Sequence, residues 1–449
     1  MREDVSAGGT GAKVAVIGAG VGGLAAAIRL AEAGASVRVY DPAPHAGGLA
    51  GGFQIGGNNV ERFYHHLFRS DRAAQRWVAD LGLSDRMQFL PATMGFYSKG
   101  RLYRFGTAAS LLRFSPLRFR DRLRVGLRIR SLGSNPDPSS FENVTALDWL
   151  RSRASPQEIE VFWMPLLQAK FGRDSEIVSM AWLWARFRAR VGDSVGQGER
   201  LGYLRGGFQQ LADTMCRRAE QLGVKLNFGC GVEGITVTDG RVTAIRAAGQ
   251  QDSRCDAVVW TPSLRLLTRA VPELSSEYRE RCLAIEYHHA VVVVLELPAS
   301  VLPYYWVTVG DSRLPFTVAV EQTRLVEPSD YGGRTVVYLG RYAPPDDPLL
   351  AAPDDEITRT FVNAAAEAFS PGFRDYLAAH VFRAPAAQPI VPPGWQLRRP
   401  ALRTGIQGLV AANMAQIYPW DRGINYSLSL GEDAAQAILE EMAQVTSAL

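Results

Sequence analysis

One stretch, KVAVIGAGVGGLAAAIRLAEAGASVRVYD (13–41), limits what this chain can fold into more than any other. VAVI (14–17) is a short apolar run suited to a buried parallel strand. Residues 24–33 are rich in Ala and Leu and so favour a helix. Between them Gly18, Gly20 and Gly23, with Gly22 alongside, fit G-x-G-x-x-G. In that setting the first glycine permits a tight turn and the second lets a pyrophosphate approach the backbone. The third lets helix and strand pack closely. The helix start then offers free N–H groups and a positive dipole end to phosphate. A second strand, SVRVY (36–40), leads to Asp41, placed to accept both ribose hydroxyls and to repel a 2′-phosphate. Strand, glycines, helix, strand and acid in this order predict a dinucleotide site on an α/β unit of Rossmann type.

A second match to the glycine pattern, Gly229, Gly231 and Gly234 in GCGVEG, is followed by ITVTDGRVTAI, which alternates like a hairpin. Without a helix after it, phosphates would have no dipole to sit on, so one dinucleotide site is expected. The formal charge of +4 over 449 residues gives no electrostatic support to nucleic-acid binding. Almost all the basic side chains are arginine, with Lys13, Lys99, Lys170 and Lys225 the only lysines. Cys216, Cys230, Cys255 and Cys282 lack CxxC spacing and read as buried thiols in a reducing compartment, with no metal site. MREDVSAGGTGAK has no apolar signal-like core, and no long uncharged apolar run occurs, so a cytoplasmic protein is expected.

After Asp41, PAPHAGGLAGGFQIGG resembles the glycine-pair region that follows the first unit in the FAD-dependent amine oxidase superfamily. That superfamily includes protoporphyrinogen oxidases, phytoene-type desaturases and UDP-galactopyranose mutases. Gly47, Gly48 and Leu49 match the paired-glycine turn, with His45 where arginine is commoner. YLRGGFQQLADTMCRRAEQLGVKLNFGCGVEGI (203–235) resembles the return segment, whose Val232 would lie against adenine. CDAVVWTPS (255–263) and GLVAANMAQIYPWDRGINYSLSLGEDAAQAI (408–438) resemble the later strand and the closing strand, turn and helix. There Asn413 stands where the family carries an acid, and the turn at Gly423, Ile424 and Asn425 would reach the flavin. The resemblance implies a discontinuous FAD-binding domain (12–70, 200–285, 400–449) and an α+β substrate domain (71–199, 286–399) with a mixed sheet and helices.

Within the second unit, QFLPATMGFYSKGRLYRF reads as a hairpin turning at Lys99–Gly100, and HAVVVVLEL, YYWVTV, FTVAVEQ and TVVYLGRY read as strands. Residues 142–190 read as mainly helical. RFSPLRFRDRLRVGLRIRSL (113–132) reads as a helix starting at Ser115–Pro116, with no single apolar face. It is expected to be a solvated or inter-domain segment; any membrane contact would be peripheral, on anionic lipid. Trp182, Trp184, Tyr304, Tyr305 and Trp306 read first as core and second as walls of a substrate tunnel.

The resemblance puts ERFYHHLFRSD (61–71) on the crossing beneath the flavin, so Tyr64, His65 and His66 become candidates to face it. A histidine titrating near 6.5 suits a base or hydrogen-bonding role, and neighbours on an extended chain diverge, so the pair is a poor metal chelate. Asp421 and Arg422, opposite, could touch ring or substrate, though Asp421 could equally cap a helix. The expected function is an FAD-dependent oxidoreductase moving a hydride from a small or apolar organic substrate to flavin N5. Reoxidation would fall to O2, a quinone or a partner protein, since no second unit for NAD(P)H is visible. The alternatives are a mutase-like isomerase gripping a nucleotide sugar's diphosphate with Arg62, Arg341 and Arg422, and a flavin-free binding protein of Rab escort type.

Overall fold

The protein is described here by a computed structural model covering residues 11–190, 199–249 and 251–447; most of the MREDVSAGGTGAK segment, and Val191, lie outside them. Among these residues five strands form a wholly parallel sheet, in the order Leu409–Ala411, Ala257–Trp260, Lys13–Ile17, Ser36–Asp41, Lys225–Phe228. VAVI and AVVW are buried throughout, as strands covered on both faces must be. One face carries the helices Val21–Glu32, Gln209–Gln221 and Ile424–Ser447. The other packs against the hairpin Val232–Thr238/Arg241–Ala247, through Ile235, Val242 and Ile245. That hairpin is where GCGVEG leads, so no helix follows its glycines.

A seven-stranded mixed sheet stands beside it, in the order Ala378–Pro389, Tyr287–Leu297, Thr335–Ala343, Val318–Glu321, Trp306–Val309, Met94–Ser98, Arg101–Phe105. Only the pair Trp306–Val309 and Met94–Ser98 is parallel. The hairpin turns at Lys99 (φ 50°) and Gly100 (φ 76°), matching the turn favoured between two-residue-linked strands. The preceding residues Met87–Pro91 do not join that hairpin; they pair with Arg200–Leu204. Ala378–Pro389 had no strand signal because it carries Pro385 and Pro389. It is tolerated as an edge strand, with Ala386 at φ 50° and a register shift opposite His288 and Ala290.

Residues 142–190 are mainly helical, including Ala146–Arg151, Met164–Phe171 and Met180–Arg188. The arginine-rich helix starts at Phe119, not at Ser115–Pro116, and it has two apolar stripes. Val125 and Leu132 are buried, whereas Phe119, Leu123 and Leu127, each one turn apart, are exposed. Trp182, Trp184 and Tyr305 are core, but Trp306 and Tyr304 are only half-buried. No described helix is long and apolar enough to cross a membrane.

The crossing between the two sheets is fastened at Glu61, which is buried. Its carboxylate accepts from Phe208 N–H (2.7 Å) and Tyr203 O–H (2.9 Å), and its carbonyl accepts from Tyr338 O–H (2.8 Å). Glu61→Leu strands those two carboxylate-bound donors and is expected to cost about 3 kcal/mol, against about 1 kcal/mol for Glu61→Gln. Burial also pushes the Glu61 carboxyl up to about 7 from 4.5. The native chain therefore keeps a proton that the unfolded chain releases. That contribution is complete below pH 4.5 and gone as pH rises through about 7. The wild-type advantage over Glu61→Gln in urea midpoint should be larger at acid than at alkaline pH; a pH-independent difference would contradict this.

Candidate active site

The parallel sheet ends in a glycine cradle. Gly18 has φ 99°, and a Cβ there would lie 2.2 Å from Thr261 Oγ1. A Cβ on Gly23 would lie 2.0 Å from the Gly18 carbonyl oxygen, and one on Gly22 2.8 Å from that of Ser427 in the last helix. Packing within the protein accounts for these three, Gly22 included. Gly20 differs: its φ is −68°, its ψ is 168°, and a Cβ would meet nothing within 4 Å. Nothing inside the protein requires glycine at that position. It caps the helix Val21–Glu32, whose first N–H groups have no intrahelical partner. Open space, free donors and a positive dipole end meet here, which is what a pyrophosphate needs. The residues present fit FAD.

The paired-glycine turn closes one side of the cradle. Gly47 (φ 121°) donates its N–H to Ala19 O (2.9 Å), and a Cβ on Gly48 (φ 57°) would crowd Gly20 Cα at 3.2 Å. Asp41 accepts from Ala19 N–H (2.7 Å) and Ala43 N–H (2.8 Å), holding both turns at the strand end. Gln209, which the sequence did not single out, donates to Ala46 O (3.1 Å) and accepts from Gly52 N–H (3.0 Å). Arg62 donates to Gly48 O (2.8 Å), and Arg341 pairs with Asp347 (2.6 Å). Arg422 is bonded to a third set of partners, Gln388 and Tyr342, so the three arginines share none.

Other expected cofactor residues fall in varied settings. Asn413 ties its own loop to the turn after Ala257–Trp260, accepting from Ala415 N–H and donating to Thr261 O and Pro262 O at 3.0–3.1 Å. Asn425 is buried and accepts from Ala74 N–H (3.1 Å), and Ile424 is core. Val232 is half-buried at the start of its strand, and Leu49 packs against the small cluster of Ala290, Ala384 and Ala387. Gly423, before the last helix, resembles Gly20 in that a Cβ would meet nothing within 4 Å.

Past a bend at Arg62 and Phe63 the side chains of Tyr64, His65 and His66 alternate. Tyr64 meets Trp306 and Tyr338 edge to face at 5.1 and 5.9 Å. His66 lies against Trp306, with Nδ1 3.4 Å from Tyr305 Oη. His65 turns the other way, its Nδ1 bonded to Phe63 O and its ring towards Phe208. Burial lowers the His65 ring to about 4, and burial with Arg190 and other nearby cations lowers His66 to about 3. Neither matches the expected ring titrating near 6.5; both are neutral hydrogen-bonding groups.

Across from them Asp421 is ion-paired with Lys170 and with Arg186 (3.3 Å). Burial, reinforced by Arg186 and Arg422, lowers Lys170 to about 7. Burial would raise Asp421, but Lys170 and Arg186 hold it at about 2. Arg422 donates to Gln388 Oε1 (3.1 Å) and Tyr342 Oη (2.7 Å), and Trp420 stacks on Tyr426 at 5.8 Å. Lys170, Arg186, Gln388 and Tyr342 were not expected. Lys170 alone left a trace: it is one of four lysines in a chain that otherwise uses arginine.

A parallel sheet ending in a glycine cradle, joined to a mixed sheet that carries an aromatic and charged wall, is the architecture of a nucleotide-cofactor enzyme. The profile of flavin containing amine oxidoreductases matches residues 21–439, and the chain belongs to that family. It is a flavin-dependent oxidoreductase acting on an organic substrate. A probable zeta-carotene desaturase of Synechococcus elongatus is 24 % identical over 96 % of this chain and 99 % of its own length. Among solved structures, a putative protoporphyrinogen oxidase of an Exiguobacterium species superposes with TM-score 0.77 at 16 % identity, covering 96 % and 100 % of the two chains. Cyclohexylamine oxidase of Brevibacterium oxydans gives 0.71 at 19 %, covering 96 % and 99 %.

Because both rings stay neutral, kcat/KM should show no inflection near pH 6.5 assignable to His65 or His66. Profiles of wild type, His65→Gln and His66→Gln test this. An inflection there that either substitution abolishes would contradict it.

Proposed function

We propose that the chain binds FAD at the 18–23 and 47–49 turns and oxidises an organic substrate over the wall of Tyr64 and His66. The observation that carries this is Gly20, a glycine that its own protein does not need, set at a free helix N-terminus. We assign FAD to 12–70, 200–285 and 400–449, and substrate to 71–199 with 286–399. FAD, when bound, supplies the hydride acceptor. The protein's part is to orient the substrate carbon, exclude water and set the local charge. Tyr64, Trp306 and Tyr338 form an apolar, edge-to-face wall suited to orientation and water exclusion. Relatives named as desaturases and as an amine oxidase support a dehydrogenation. Electrons would leave to O2, a quinone or a partner protein. In favour of that, GCGVEG runs into a hairpin and offers NADPH no helix start.

Gly20→Val is expected to fold as well as wild type, because its φ and surroundings accept a side chain, yet to purify largely colourless. Gly23→Val, which would drive a side chain into Gly18, should lose stability instead. Flavin absorbance per protein and thermal unfolding separate the two cases. Stoichiometric flavin in folded Gly20→Val would overturn the site assignment.

A further inference from the structure

Four cationic side chains converge beside the wall of Tyr64 and His66: Lys170, Arg186, Arg190 and Arg422. Arg186 and Asp421 are ion-paired, Arg190 pairs with Glu199 (3.1 Å) and donates to the Arg186 carbonyl (2.7 Å), and Lys170 pairs with Asp421. The Arg190 guanidinium lies 4.7 Å over the Phe68 ring, which meets His66 edge to face at 5.3 Å, and Arg422 is bonded to Tyr342 on the strand whose Gly340 packs against Tyr64; the same cations act electrostatically on His66 and Tyr64. The acids ion-paired with them are Asp421, shared by Lys170 and Arg186, and Glu199, two carboxylates against four cations. Arg422 is bonded through its guanidinium to neutral groups, Gln388 and Tyr342.

These groups are desolvated by protein on several sides, yet they are not sealed. Lys170 keeps 14 % of its side-chain exposure, Asp421 23 % and Arg186 31 %. Tyr64, His66, Tyr342 and Arg422 are likewise half-buried. Uncompensated cations held away from bulk water are costly, and a ligand that brings negative charge relieves that cost. A protonated amine would be repelled, and a pure hydrocarbon would displace water from the cations without replacing its hydrogen bonds. Burial lowers the proton affinity of Lys170, and Arg186 and Arg422 add to it. A guanidinium fork matches carboxylate and phosphate oxygens two at a time.

We propose that the substrate is an organic anion, whose carboxylate or phosphate is held by Arg422 and Arg186 beside Tyr64 and His66. The inference rests on the proposed function, because it takes the oxidised carbon to lie against that same wall.

The test uses oxidised, FAD-loaded enzyme at low ionic strength, titrated separately with benzoate, pyrophosphate and benzylamine while the flavin spectrum is followed. At least one anion should perturb the spectrum saturably, and benzylamine should not. Arg422→Gln and Arg186→Gln should each weaken that anion about tenfold or more, with Arg422→Lys recovering part of the loss. Preference for benzoate would assign a carboxylate, and preference for pyrophosphate a phosphorylated substrate. Saturable binding of benzylamine, no saturable anion binding, or anion binding unchanged in both glutamine variants would overturn the proposal. Flavin content and thermal unfolding of each variant are measured first; should Arg422→Gln not fold, Arg186→Gln and Arg422→Lys decide. Loss of flavin from wild type would defeat the proposed function itself, whereas a flavin-loaded enzyme indifferent to anions would defeat this inference alone.

Discussion

Everything in the molecule is arranged around a contact too close for any side chain. The Gly23 Cα faces the Gly18 carbonyl where a Cβ would come within 2.0 Å, and Gly431 meets Gly22 O at the same notional distance. The first contact presses the helix Val21–Glu32 onto the end of its strand; the second presses the last helix, Ile424–Ser447, onto it. Together they fix where the helix start points, which is outward from the carboxyl ends of the parallel strands. In open parallel sheets that edge is where ligands bind. The residues before the last helix, Asp421–Gly423, are thereby brought to the same edge from the far end of the chain.

The second constraint is electrostatic. The chain leaves the cradle through Glu61, a buried acid satisfied by Phe208 and Tyr203, and then lays Tyr64 and His66 against the mixed sheet. The histidines are kept neutral by burial and by the arginines behind them, so charge at this wall resides in Lys170, Arg186, Arg422 and Asp421. Asp421 holds two of those cations in place, and Arg422 is positioned by an amide and a phenol. The side chains of this wall are thus supplied from three separated stretches, 61–66, 170–190 and 421–422.

How much of this was legible in the sequence follows the range of the interactions. The parallel strands, the glycine turn and the rejection of GCGVEG are local patterns, and the chain order of apolar run, glycine and helix was enough to read them. The turn at Lys99–Gly100 was equally local. The edge strand Ala378–Pro389 was hidden because its prolines carry a turn signal that only an edge position and a bulge make harmless. The exposed stripe of Phe119, Leu123 and Leu127 was hidden because a second, buried stripe on the same helix blurred its periodicity. Lys170 and Arg186 were invisible as site residues because their partner lies 251 and 235 residues away. A histidine's type suggested a base; only its surroundings show it neutral.

The central claim is that one cofactor spans the glycine cradle and the charged wall. A crystal structure of the FAD-loaded enzyme tests it most directly. The account predicts the pyrophosphate in hydrogen-bond contact with N–H groups at the start of the helix Val21–Glu32 and its isoalloxazine reaching the wall of Tyr64 and His66. A pyrophosphate seated at 229–234, or a ring remote from the 64–66 wall, would contradict it.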